Sequence, residues 1–178
     1  MKFKAILLSS VVLFAACAWA QMAPPKPGPE LKKLDYFVGS WTADGAVTQG
    51  PWGAGGKFSI SDTTEWTLGN FYVEGHGNFK MPAEVGGEGK AVSLMGYDVN
   101  ENVYTRDEFN DQGQHEVSKG TVSGDTWTWT GSQVYGGQEI KQKMTIKVLS
   151  PTSYTMKFEI SIDGTTWMTF MEGKATKK

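Results

Sequence analysis

The sequence predicts an all-β protein: an antiparallel up-and-down β-barrel of about 8–10 strands with a short N-terminal helix. Three observations carry this. Long stretches alternate apolar and polar residues with a period of two, the pattern of a half-buried strand. Turn-forming residues separate those stretches at short intervals. No helical pattern of crossover length lies between them, so a parallel sheet is excluded. A flat meander of this many strands would leave two unpaired edges, which closure removes. A two-sheet sandwich is the alternative fold.

Residues 1–20 precede the fold. Lys2 and Lys4 give a positive start, Ala5 to Ala16 carries no charge, and Ala18-Trp19-Ala20 places small residues at the two positions a signal peptidase reads. Cleavage before Gln21 is expected, giving a periplasmic or secreted bacterial protein. The uncharged run is too short to be a comfortable membrane span. Phe14-Ala15-Ala16-Cys17 offers a second route. It resembles a bacterial lipobox with Phe where Leu is usual, and acylation of Cys17 would tether the protein to a membrane. Simple cleavage leaves fifteen basic and nineteen acidic residues, a net charge of −4, and no cysteine.

Residues 21–30, QMAPPKPGPE, hold four prolines and read as an extended spacer. The folded domain is expected over residues 31–178. Pro29 to Phe37 reads as the short helix: Pro lies in the first turn, Glu30 near the positive end, and Leu31, Leu34 and Phe37 share one face.

Everything after Gly39 reads as strand. The clearest runs from Tyr154 to Ile162. Tyr154, Met156, Phe158, Ile160 and Ile162 point one way, and Thr155, Lys157, Glu159 and Ser161 the other. Residues 140–148 repeat the pattern, and Thr126 to Thr130 alternates without a break. Less regular strands are expected at 41–48, 57–68, 71–80, 91–98, 102–109, 114–122 and 166–175. Turn chemistry falls between them, as at Leu68-Gly69-Asn70, Asp111-Gln112-Gly113, Ser123-Gly124-Asp125 and Asp163-Gly164-Thr165.

Composition removes several function classes. The chain of 178 residues suits one domain. Its net charge of −2, without a dense basic patch, argues against nucleic acid as a partner. One Cys allows neither an internal disulfide nor a Cys-based zinc site. Gly50-Pro51-Trp52-Gly53-Ala54-Gly55-Gly56 lacks the Lys-Ser/Thr ending of a phosphate loop and reads as a flexible mouth loop, with Trp52 placed to gate the opening.

Leu34-Asp35-Tyr36-Phe37-Val38-Gly39-Ser40-Trp41 leads a short helix into Gly-x-Trp on the first strand. This resembles the calycin superfamily, which includes lipocalins and fatty-acid-binding proteins. Gly96-Tyr97-Asp98, then Tyr104, Asp111 and Gly113, look more specifically like the DUF1579 family of secreted, calycin-like bacterial proteins. The resemblance covers most of residues 31–178 and implies the barrel but no defined activity. It also implies that Trp41 closes one end, a place where lipocalins often lay an Arg over the ring. Residues 39–45 loosely resemble the glycine motif of nitrobindin-like haem barrels. Those take their iron ligand from a late His, and none follows His115 here. No cofactor is therefore expected.

The candidate ligand-binding residues are Trp66, Tyr104, Arg106, His115, Trp127, Trp129, Met144 and Phe158. The indoles, Met144 and Phe158 would line an apolar cavity, or fill a solid barrel. Arg106, the only arginine, shares a strand face with Tyr104 and is placed to clamp a carboxylate; a surface Arg paired with Asp107 or Glu108, or with a carboxylate on a neighbouring strand, is the alternative. His76 and His115 are the only imidazoles, and their spacing matches no metal-binding or nucleophile motif, so no metal and no catalytic residue is assigned. The expected function is extracytoplasmic binding of a small apolar or amphiphilic, lipid-like molecule. Two alternatives compete: a barrel enzyme using Asp98 or Glu108 with His115, and a solid-cored envelope protein.

Overall fold

A computed structural model describes residues 25–178. The expected signal peptide over residues 1–20, Cys17 and the first residues of the proline-rich leader lie outside the described residues. Ten strands follow one another: β1 Gly39–Val47, β2 Gly56–Thr67, β3 Tyr72–Lys80, β4 Glu88–Asp98, β5 Val103–Asn110, β6 His115–Ser123, β7 Thr126–Tyr135, β8 Gln138–Ser150, β9 Ser153–Ser161 and β10 Met168–Lys177. Each pairs antiparallel with the next, and β1 closes on β10. The sheet is a closed up-and-down barrel, and the sandwich alternative falls away.

Two local departures have physical causes. Strand β7 runs on to Tyr135 rather than stopping at Thr130. Its first inward positions there are Gly131 and Gln133, so the apolar alternation lapses where the strand continues. Ile162, expected on the inner face, lies beyond the end of β9 and is exposed in the turn to β10. Asp163 organises that turn by accepting from the backbone N–H of Thr165 and Thr166, at 2.8 and 2.7 Å.

The segment before β1 is a 3-10 helix, Pro29–Tyr36. With three residues per turn, Leu31, Leu34 and Phe37 stack on one side. All three are buried against the barrel end. Hydrogen bonds fix this plug along its length. Tyr104 donates its hydroxyl to the Glu30 carbonyl at 3.0 Å, and Trp66 its indole N–H to Asp35 at 2.8 Å. Tyr36 donates to the carbonyls of Ser150 and Ser153, at 3.1 and 2.9 Å.

Aromatic rings make the floor above the plug. Trp127 meets Phe37 and Tyr104 edge-on, with centroids 5.1 and 4.7 Å apart, and lies parallel to Trp129 at 6.0 Å. These separations lie in the favourable range for ring pairs, each worth about 0.5–1.5 kcal/mol beyond area burial. Trp41 lies in the same layer. Lys177 covers the Trp41 ring, its ammonium 5.4 Å from the ring centroid.

The closing seam depends on a glycine pair. Gly45 of β1 faces Gly173 of β10, and Phe58 lies across both. A Cβ on Gly45 would come 2.1 Å from the Glu172 carbonyl oxygen.

Candidate functional site

Above the aromatic floor the barrel is hollow. The cavity has a volume of about 630 Å³, within the ordinary range of small-molecule sites, about 300–1,000 Å³. A solid core is thereby excluded. The plug shuts one end. At the other, the β1–β2 and β3–β4 loops reach the lumen through Trp52, Met81 and Val85. Trp52 meets Phe170 edge-on at 6.5 Å, at the mouth where the Gly-rich loop was expected. Gln112 donates to the Gly86 carbonyl at 2.5 Å, tying two mouth loops together.

The walls divide by chemistry. Strands β8, β9 and β10 present Met144, Ile146, Met156, Phe158, Ile160 and Met171. Strands β5 and β6 lie across the lumen from β10 and β1 in the strand order and present Arg106, Glu108 and Glu116, with Asp62 projecting from β2. Gln133 of β7 and Gln142 of β8 extend the polar part, which also takes in Ser93, Asn110 and Gln114.

Arg106 sits at the centre of the polar wall, its side chain 19% exposed. Its guanidinium is paired with Glu108, two residues along the same strand, and lies 3.9 Å from a Glu116 oxygen. Burial opposes its charge, but Glu108, Glu116 and Asp62 outweigh that and hold it protonated. Burial pushes the Asp62 carboxyl above its usual range, and Arg106 offsets this only in part. Glu116 is raised for the same reason. Burial lifts the phenol of Tyr154, beside the Trp41 ring, to about 12. Buried carboxylates in a cavity, with a specific cationic neighbour, have the physical marks of a functional site.

The structure divides the sequence-predicted residues into three groups. Arg106, Trp129, Met144, Phe158 and Trp41 line the cavity. Tyr104 and Trp127 belong to the floor and plug, and Trp66 to the plug's edge, so these three serve closure rather than the lumen. His115 lies outside the barrel. It begins β6 with outward parity, stacks on Phe109 at 4.2 Å and bonds to Asp107 at 2.9 Å. Its neighbour Glu116 takes the inward place.

The carboxylate clamp is also corrected. Arg106 points inward, as a clamp requires, but its own strand already supplies the carboxylate. Asp98 accepts the N–H groups of Asn100 and Glu101 in the turn after β4, at 2.8 and 3.2 Å. Asp98, Glu108 and His115 therefore do not converge, and an acid/base site built on them fails. His76 bonds to Glu74 at 2.7 Å on the outer surface. Among the described residues, no group of three or more His, Cys, Asp and Glu is placed to hold a metal ion.

Asp62, Glu116, Gln133 and Gln142 are among the cavity residues that sequence reasoning missed. A signal was present. Asp62 follows Phe58 and Ile60 at a spacing of two, and Gln142 lies between Ile140 and Met144 at the same spacing. A polar residue on an apolar face of a strand is a candidate for a lumen.

The solved structure of Rv2717c from M. tuberculosis is similar, with a TM-score of 0.60 at 13% identity, covering 86% of this chain and 99% of that one. The S-type phycobiliprotein lyase CPES from Guillardia theta gives a TM-score of 0.56 at 10% identity, covering 83% and 91%. At these identities the likeness is one of fold. No curated protein matches the chain. The model of a family described as "Protein of unknown function (DUF1579)" matches residues 26–177, and the chain belongs to that family.

Proposed function

We propose that the protein is a binding barrel for a small amphiphilic molecule, held with its apolar part against β8, β9 and β10 and its head toward Arg106, Glu108 and Glu116. The hollow carries this reading: about 630 Å³, shut at one end and divided into an apolar and a polar wall. Burying an apolar chain there gains about 25 cal/mol per Å² before ordering costs. The likeness to the S-type phycobiliprotein lyase supports the scaffold and not the cargo. An extracytoplasmic location belongs to the same proposal, supported by Lys2, Lys4, the uncharged run after them and Ala18-Trp19-Ala20.

The test is titration with a neutral apolar dye, read by its own fluorescence and by quenching of Trp129. Binding of one dye per protein, lost in Met144→Trp while the fold is kept, supports the cavity site. A wild-type protein that neither binds the dye nor carries a small molecule in native mass spectrometry from its host overturns it.

A further inference from the structure

Resting on the cavity reading above, we infer that the bound amphiphile has a cationic, hydrogen-bond-donating head, an ammonium or amidinium group, and that free carboxylic amphiphiles are rejected. The wall that meets the head carries more carboxylates than cations. Glu108 and Glu116 are direct cross-strand partners on the inner face of β5 and β6. Like charges in that relation repel. Asp62 adds a third carboxylate to the lumen, and Glu84 a fourth at the mouth. Among the described residues lining the cavity, Arg106 is the one Lys or Arg, and Glu108 and Glu116 already surround it. An incoming carboxylate must displace one glutamate and leave it buried beside another. An incoming cation supplies the missing charge, and the low-dielectric walls strengthen that attraction.

Gln142 points the same way independently. It is 6% exposed. Its amide N–H donates to the Gln133 oxygen at 3.2 Å, and that oxygen also accepts the Tyr135 hydroxyl at 2.6 Å. The Gln133 amide N–H in turn donates to the His115 carbonyl at 3.4 Å, and since a carbonyl only accepts, this fixes which end of the Gln142 amide faces Gln133. The Gln142 oxygen is left buried with no protein donor. Such an acceptor calls for an N–H or O–H from whatever occupies the lumen. Gln142, Gly131, Ser118 and Arg106 are successive cross-strand partners from β8 to β5. The unpaired acceptor and the opposed glutamates thus belong to one band of wall.

The experiment compares decylamine, decanol and decanoate, each below its micelle concentration, by isothermal titration of the full chain. Three variants accompany the wild type: Glu116→Gln, Gln142→Met and the cavity-filling Met144→Trp. Circular dichroism checks the fold of each. Decylamine is expected to bind at least about tenfold more tightly than decanoate, with decanol between them. Glu116→Gln should cut that preference to about threefold or less, and Gln142→Met should weaken decylamine about fivefold. Met144→Trp should abolish all three, which separates the lumen from non-specific adsorption on an acidic surface. Decanoate binding as tightly as decylamine overturns the inference while leaving the cavity reading intact. So does a preference that neither Glu116→Gln nor Gln142→Met moves. Failure of all three amphiphiles, together with the neutral dye, overturns both.

Discussion

Trp41 donates its indole N–H to the carbonyl of Phe37 at 2.9 Å, four residues back along the chain. The Thr64 hydroxyl donates to the same carbonyl. One backbone oxygen thereby joins the plug, β1 and β2. Either donor alone keeps that oxygen satisfied. Trp41→Phe and Thr64→Val should each cost about 1–2 kcal/mol, and the double variant should cost about 1 kcal/mol more than their sum, since it leaves a buried acceptor unmet. Urea unfolding of the four proteins checks the coupling.

Leu34 is fully buried at the centre of the plug. Leu34→Ala should destabilise the protein by about 2–5 kcal/mol, as a core truncation that leaves a cavity. The lumen is built by other residues, so dye affinity in the folded protein should change less than twofold. Thermal unfolding and dye titration at a temperature well below the transition separate the two effects.

The buried acids give a signed pH dependence. Asp62 and Glu116 have folded-state pKa values above the ordinary 3.8 and 4.5. Their contribution to stability is fully present below those ordinary values and is lost as pH rises through the raised ones. Asp163 is opposite in sign. Backbone N–H groups of Thr166 and Thr165 hold it below 3.8, so its contribution is present above that value and lost as the medium becomes more acidic. Asp62→Asn and Glu116→Gln should flatten the fall in melting temperature above about pH 4, while Asp163→Ala should flatten only the acid limb. Scanning calorimetry across pH distinguishes them, and identical profiles for all four proteins would refute the assignment.

Gly45 has no room for a side chain. Gly45→Val would drive its Cβ into the Glu172 carbonyl and the Phe58 ring. The expected cost is at least about 1–3 kcal/mol, with amide exchange accelerated first along β1 and β10. Gly124, in the β6–β7 turn, has open space around its Cβ position but a φ of 56°. Gly124→Asn should therefore be far milder, because Asn tolerates that conformation.

The barrel was legible because most strands keep their alternation. From Tyr154 to Ser161 every second side chain is apolar and turned inward, and the turns carry Gly, Asn, Asp or Pro. The plug was legible from Leu31, Leu34 and Phe37. The polar wall was not, and the reason is physical. A lumen places hydrophilic residues on the inner face, which erases the period of two where the site lies. Gly131 and Gln133 ended the apparent strand early, and Asp62 made β2 look irregular. His115 misled for the converse reason: its chemistry drew attention, while parity assigns the interior to Glu116. Trp127 reads as lining because aromatic content alone does not distinguish a floor from a wall, and Tyr104 because parity with Arg106 does not tell how deep along the strand it sits.

The last strand finishes beside the plug, where Lys178 donates its backbone N–H to the Ser40 carbonyl at 2.8 Å. Residues 28–38 and 177–178 thus share the sealed pole, and the loop carrying Trp52 lies at the far one. A surface coupled through Lys178 would hold every copy with its aperture facing outward. A small molecule could then be loaded and washed away with the support standing clear of the open end.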